Sequence, residues 1–574
     1  MLKGTAVSDG IGIGKVMLVK QQELVYTPNN VTDTDSEVSR FRAAVDKFCV
    51  NTKKKIDTLR KNAGDKESDI IQSHIQMIKD PNMSGEVEKL ISDGKCAEAA
   101  LEQICNMYIE IFSASEDDFL KQRTEDVRDI GSEVLSILLG IDKSKINVSQ
   151  KNTVLVVKDL TPSMVAELDK ENIVGIIAET GGKTSHSAIL TRALEIPTIL
   201  CVKDATKLLS EGSTVIVDGN RGIVINAPDS EMLRDYCEKR KEFIVEKTEL
   251  EKLRGKETKS ASGESYSLVC NIGNPDEALR VLECDGEGVG LFRTELLFME
   301  SSSLPTEDEQ FIAYRKSALI LKGAQLVIRT LDIGGDKNIP YLAHKKEENP
   351  FLGFRGIRYC LKNAEVFKSQ LRAILRASIY GDVRIMFPLI TCIDELREGK
   401  RLVEEAKAEL KSQNVRFNEN IKIGVMIETA AASLIADLLA KECDFFSIGT
   451  NDLISYTMAC DRGNGDVSYL YSALQPSVLR SVSHIIECAK KNKIPVGVCG
   501  VAATNPLFIP LLISFGLNQF SVFPSSVLKV KKEISMWSKK EADKICDKAM
   551  SLSTEAEIRN YLNSVIKNKK YQNI

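Results

Sequence analysis

Apolar and polar positions change rhythm four times along this chain. The first 20 residues carry short apolar runs broken by glycines (Gly10-Ile11-Gly12-Ile13-Gly14-Lys15-Val16), the pattern of strands joined by a turn. From residue 35 to about 140 the period becomes helical: Phe41, Val45 and Phe48 share one face, as do Ile70, Ile71, His74, Ile75 and Ile78. Asp80-Pro81 breaks that run, because proline disfavours a helical residue before it. Residues 100–112 and 127–140 add two more amphipathic helices, which predicts a four-helix unit.

Strand character returns at Asn152–Val157, Gly175–Ala178, Thr198–Val202 and Thr214–Asp218, with short helical stretches between. The first 20 residues and 145–228 then form one α/β domain, with 21–144 inserted into it as helices. Residues 229–260 begin with a charged helical stretch (Leu233, Tyr236, Phe243, Leu250, Leu253) that reads as a linker. After it, eight apolar runs alternate with helices: Tyr266–Asn271, Gly288–Arg293, Gln325–Arg329, Val383–Phe387, Lys422–Ile427, Phe445–Gly449, Pro495–Cys499 and Gln519–Phe523. That alternation predicts a (β/α)8 barrel over 261–574. The fold class is multidomain α/β.

Composition narrows the function classes. At 574 residues the chain is long enough for about three to four domains. Hydrophobic residues are 43 % and charged residues 28 %, so it is neither disordered nor low-complexity. Lysine and arginine number 77 against 81 acidic residues, a net charge of −4 without the basic excess of a nucleic-acid binder. The 14 cysteines include no CxxC pair and read as reduced thiols of a cytoplasmic protein. The longest apolar run, Pro506–Leu517, is shorter than the ~18 residues of a membrane span. The N-terminal residues lack the apolar core of a signal peptide.

The candidate chemistry sits at the ends of these runs. His186 follows Gly181-Gly182-Lys183-Thr184-Ser185 and opens a helical stretch. A helix N-terminus disfavours imidazolium and offers N–H groups to an anion, so His186 suits a nucleophile that receives a phosphoryl group. The alternative is a histidine packed at a tight turn. The Gly-Gly-Lys-Thr string is not a P-loop, because Ile177 occupies the position of the required first glycine. In the barrel, Asn271, Arg293, Arg329, Glu428, Asn451-Asp452 and Cys499 lie at or just past strand ends, where barrels of this type build their sites. Arg293 and Arg329 suit a phosphate or carboxylate, and Arg355 and Arg358 add cationic charge. Glu428 and Asp452 either hold Mg2+ beside phosphate oxygens or pair with these arginines. Asn451 is a helix cap or a hydrogen-bonding group for substrate, and Cys499 a packing residue or a proton donor. His344 and His484 carry no supporting motif.

Taken in order, these strings resemble enzyme I of the phosphoenolpyruvate:sugar phosphotransferase system. The resemblance runs from Ser8-Asp9-Gly10-Ile11 through Ser73-His74-Ile75, Asp80-Pro81, Arg128-Asp129-Ile130-Gly131 and Gly181–Arg192 to Gly290–Met299, Leu331–Lys337, Glu347–Arg358 and Glu428–Arg462. It implies that His186 accepts the phosphoryl group through Nε2. It implies that Arg293, Arg329 and Arg462 bind phosphoenolpyruvate, with Asn451 on its phosphate. Glu428 and Asp452 would be the Mg2+ ligands, and Cys499 the acid that converts the enolate to pyruvate. The insert would dock the carrier protein HPr, and the barrels would join two chains as a homodimer.

The chain departs from the family pattern at several barrel positions. Val501 stands where the family usually has glutamate after Cys-Gly, and Ala430 where it usually has proline. Ser472-Ala473-Leu474-Gln475-Pro476 replaces a Gln-Pro-Leu-His-Pro string, and Ser521-Val522-Phe523-Pro524 a run of small residues. These departures bear on rate and on the proton-transfer step. Two alternatives follow from the same motifs. A pyruvate phosphate dikinase or phosphoenolpyruvate synthase shares the histidine domain and barrel but needs an ATP-grasp domain, and only 185 residues precede His186. A catalytically weak regulatory relative would bind HPr without turnover, which the intact nucleophile, arginines and carboxylates disfavour.

Overall fold

The computed structural model describes residues 1–19, 24–114, 118–141, 150–182, 185–299, 301, 303–334, 339, 341 and 347–572. Lys183, Thr184, Lys337 and His344 lie outside the described residues. The chain forms two compact units, Met1–Thr248 and Glu249–Ile574.

The first unit contains a mixed eight-stranded sheet. Its strands are β1 (Leu2–Lys3), β2 (Thr5–Ser8), β3 (Ile11–Leu18), β4 (Thr153–Val157), β5 (Ile173–Ala178), β6 (Thr198–Leu200), β7 (Thr214–Asp218) and β8 (Ile223–Asn226). Their order is β1-β8-β7-β3-β4-β5-β6-β2, parallel from β3 to β6 and antiparallel elsewhere. β8 is absent from the sequence reading: its four residues follow β7 after a tight turn in which Gly222 takes a positive φ of 68°, too short a run to stand out.

Between β3 and β4 lie α1 (Thr34–Ala63), α2 (Asp65–Ile78), α3 (Pro81–Ser92), α4 (Ala97–Ala114) and α5 (Asp118–Leu138). The insert thus has five helical segments where four were expected. Pro81, read as a break, also starts the additional helix. It occupies the first turn, where its missing N–H costs nothing, and the Asp80 side chain accepts from Asn82 N at 2.8 Å. Met83, Val87 and Ile91 of α3 join the buried core that the insert shares with one face of the sheet. Short helices α6 (Pro162–Ala166), α7 (His186–Ala193) and α8 (Ala205–Leu208) connect the later strands, and α9 (Ser230–Glu251) leads out of the unit.

The second unit is a closed barrel. After a short strand β9 (Thr258–Lys259) come β10 (Ser265–Ile272), β11 (Val289–Arg293), β12 (Leu326–Arg329), β13 (Val383–Phe387), β14 (Lys422–Ile427), β15 (Phe445–Gly449), β16 (Val496–Cys499) and β17 (Gln519–Val522). β10 to β17 are all parallel, and β10 pairs with both β11 and β17, which closes the ring. Leu291, Val327, Met386, Met426, Phe445 and Cys499, one from each of six consecutive strands, fill a buried cluster of their own. The larger core lies between the strands and the surrounding helices. Arg293 and Arg329 are register partners at the ends of β11 and β12, as are Gly449 and Cys499 on β15 and β16. No described helix is long and apolar enough to cross a membrane.

Candidate active site

Reactive groups gather at one place in each unit. In the first, β5 ends at Ala178 and the chain turns through Gly181, whose φ is +122°. A Cβ there would lie 3.0 Å from Leu200 Cδ1, so the turn requires glycine. Ser185 then caps α7, its hydroxyl accepting from Ala188 N at 3.3 Å, and His186 is the first helical residue. His186 is 9 % exposed.

Its Nδ1 lies 2.9 Å and 3.1 Å from the two carboxylate oxygens of Asp126, a fully buried residue of α5. His74 Nε2 is 3.3 Å from the same carboxylate, and Arg123 Nη1 donates to it at 3.3 Å. Burial alone would raise the Asp126 pKa, but the hydrogen bonds from His186 and His74 outweigh it and hold the carboxyl well below its usual range. An ionised carboxylate only accepts, so the His186 proton sits on Nδ1 and the Nε2 lone pair is left to react. Asp126 escaped the sequence reading. Its signal was a carboxylate on the apolar face of α5, one residue before Val127 and four before Ile130, both buried.

Glu125, next to it, is pushed up to about 7 by burial, with Asp159 and Asp126 adding repulsion. A carboxyl raised in this way binds its proton more tightly folded than unfolded. Its contribution is therefore complete below the unfolded value of about 4.3 and is lost as pH rises through about 7. Glu125→Gln is expected to flatten the fall in melting temperature of the first unit between about pH 4.5 and 7. An unchanged slope would place that proton uptake elsewhere.

In the barrel, Arg329 is 7 % exposed and ion-paired to Glu295, with Asp332 Oδ2 3.1 Å from its Nη1. Thr294 Oγ1 donates to Arg329 O at 2.9 Å and ties the two strand ends together. Asp332 also receives Arg355 through Nη2 at 2.9 Å and 3.0 Å and Nε at 3.2 Å. Among the described residues, Arg329 Nε and Arg355 Nη1 remain buried without a hydrogen-bond partner. The guanidinium groups of Arg355 and Arg358, expected to add positive charge here, are already engaged by other groups. Arg355 is held by Asp332, and Arg358 donates to Leu352 O and Gly353 O at 3.0 Å and 3.1 Å. Glu295 and Asp332, within strings already singled out, are the carboxylates that fix the arginine geometry.

Glu428, just past β14, is 1 % exposed, and its Oε1 accepts Leu389 N at 2.7 Å. Burial, then the charges of Asp452 and Asp332, push its pKa above the usual carboxylate range despite Arg329 and Arg355. Asp452 lies in the first turn of the helix Thr450–Met458. Two facing carboxylates that repel one another are a donor set that a hard divalent cation relieves, with few protein ligands. Among the described residues no group of three or more His, Cys, Asp or Glu forms a fuller cage.

Cys499 ends β16, 3 % exposed, its Sγ donating to Ile448 O at 3.4 Å. Burial raises its thiol pKa, and Glu428, Arg329 and Arg293 all act on it electrostatically. Asn451 Oδ1 accepts from Val501 N at 3.3 Å; a Cβ on Gly500 (φ +97°) would sit 3.0 Å from that oxygen. Arg462 is exposed and its charge acts on Tyr471, whose hydroxyl donates to Asn451 O at 3.2 Å. Arg293, Arg329, Glu428, Asp452 and Cys499 thus converge, while Arg462 sits at the margin.

Known proteins are similar to this chain in sequence. Profiles of the PEP-utilising enzymes match the chain in three parts: the N-terminal domain at 3–123, the mobile domain at 149–222 and the PEP-binding domain at 247–538. The chain is therefore a phosphoenolpyruvate-utilising enzyme. Phosphoenolpyruvate-protein phosphotransferase of Bacillus subtilis (strain 168) is 42 % identical over 567 residues, spanning 99 % of this chain and all (100 %) of that one. Its counterpart from Staphylococcus carnosus is 40 % identical over 568 residues, 99 % of each chain. A solution NMR structure of an enzyme I protein is 31 % identical, covering 42 % of this chain and 99 % of its own, at a TM-score of 0.38. The chain belongs to the phosphoenolpyruvate-protein phosphotransferase family.

Proposed function

We propose that the chain takes the phosphoryl group of phosphoenolpyruvate onto His186 and passes it to a histidine of the carrier protein HPr, the first step of sugar-uptake phosphorylation. The observation that carries this is His186 at a helix N-terminus with Nδ1 bonded to buried Asp126, which leaves Nε2 as the reacting atom. In the first step the Nε2 lone pair forms the N–P bond. The bridging P–O bond breaks, and its electron pair leaves on the enolate oxygen. Cys499 gives its thiol proton to the enolate carbon, which yields pyruvate, and solvent restores the thiol. Arg293 and Arg329 bind the anionic groups of the substrate, and Asn451 and Arg462 hold its phosphate side. Glu428 and Asp452 would hold Mg2+, which when bound neutralises charge on the transferring phosphoryl group.

His186 belongs to one unit and the arginines to the other, joined through α9, so the transfer requires the two to come together. The helical insert would dock HPr. Exposed Leu434 and Leu438, four residues apart beside the barrel, support association of two barrels in a homodimer. The thiol chemistry suits the cytoplasm.

Asp126 acts here through His186 as a positioning residue. Asp126→Asn replaces a charge-assisted hydrogen bond worth about 1.5–3 kcal/mol by a neutral one, and His186 phosphorylation is expected to slow by about 10–100-fold. Its pH profile should shift with it, and an unchanged rate and profile would make Asp126 purely structural. The proposal as a whole is tested by incubating the full chain with labelled phosphoenolpyruvate and Mg2+ in the absence of ATP. Acid-labile, base-stable label with one pyruvate released per chain is expected. No label would favour a catalytically weak relative that binds HPr without turnover.

A further inference from the structure

Arg329 and Arg355 are locked by carboxylates, but Arg293 is in no ion pair among the described residues. What it meets is an aromatic ring: its guanidinium carbon lies 6.0 Å from the centroid of Phe523. The register explains the meeting. Val522 on β17 is level with Cys270 on one side of β10, and Phe292 is level with Ile272 on the other. The next residue of each strand, Phe523 and Arg293, therefore rises at the same mouth of the barrel.

Phe523 is 49 % exposed and lies outside every buried apolar cluster, so packing does not account for a large apolar side chain there. The geometry points to Phe523 as a positioning residue for Arg293. The ring's negative face attracts the guanidinium across this distance. A guanidinium recognises phosphate or carboxylate through N–H groups in its own plane, along its edges, and these stay open. A carboxylate partner would compete with the substrate for those edges; a π face does not. The ring thus limits the wandering of a partly exposed cation while leaving its charge unneutralised. This inference rests on the proposal that Arg293 binds phosphoenolpyruvate.

The test is steady-state kinetics with phosphoenolpyruvate on the full chain. Exposed cation–π contacts are worth enough to change affinity about two- to fivefold. Phe523→Ala and Phe523→Leu are expected to raise KM for phosphoenolpyruvate by that factor, with kcat close to wild type. Phe523→Tyr and Phe523→Trp should restore the wild-type KM, because they keep the π face that leucine lacks. Fluorescence of Trp537, the single tryptophan and buried within the barrel unit, reports that the alanine, leucine and tyrosine variants are folded, and circular dichroism does so for Phe523→Trp. A wild-type KM in Phe523→Leu, or equal KM increases in all four variants, overturns the inference. Arg293→Ala separates the two levels. If it leaves KM unchanged, the substrate-binding role of Arg293 fails and the inference with it. If it raises KM while the Phe523 series is flat, only the role of the ring fails.

Discussion

His186→Ala folds and accepts no phosphoryl group, from phosphoenolpyruvate or from phospho-HPr. The folding half of this expectation follows from what Asp126 retains. With the imidazole removed, the buried carboxylate still receives His74 at 3.3 Å and Arg123 at 3.3 Å, so no bare charge is left behind. Helix α7 keeps its Ser185 cap and its buried Ala188 and Leu190. The chemical half follows because no other described nucleophile stands at that helix terminus with an oriented lone pair. Among the described residues, Ser185 Oγ is engaged with Ser187 Oγ at 2.9 Å and Ala188 N. Label would be followed from both donors, with circular dichroism as the folding control. Label retained from either donor would move the carrier to another residue.

Cys499→Ser slows pyruvate formation by about 10²–10⁴-fold, the usual worth of a general acid. The thiol is buried, and both burial and Glu428 raise its pKa, so it holds its proton at neutral pH and has one to give. A serine hydroxyl of nearly the same size is a far weaker acid, so the substitution changes the proton supply while altering the packing little. Val501, two residues on, is 64 % exposed and carries no group able to relay a proton. His186 phosphorylation should fall less than pyruvate release, since N–P bond formation precedes protonation of carbon. Rapid-quench sampling separates the two signals. Pyruvate released at the wild-type rate would return Cys499 to a purely packing role with Met426 and Phe445.

The barrel was legible because its strands are buried on both faces and read as unbroken apolar runs, so all eight were located within about two residues. The α/β sheet was legible from β3 to β7, where the strands are central. Short β8 carried no such run, and Pro81 reads equally well as the end of one helix and the start of the next. The strand-end residues stood out because polar side chains have no place inside a barrel core. Pairing between distant segments was not legible. Asp126 reaches His186 across 60 residues, and Asp332 takes Arg355 out of the set of free cations across 23. Such partners are set by tertiary packing, in which α2 and α6 each touch both α5 and α7, and no local period records it.

The central claim is that one nitrogen of one residue carries the phosphoryl group. The full chain, loaded from phosphoenolpyruvate and Mg2+ without ATP, would be analysed by correlated 31P–1H NMR together with peptide mapping under alkaline conditions. The expected result is a single phosphohistidine at His186, coupled through Nε2, with Nδ1 still bearing its proton. Phosphate on Nδ1 of His186, or on any other residue, would contradict it.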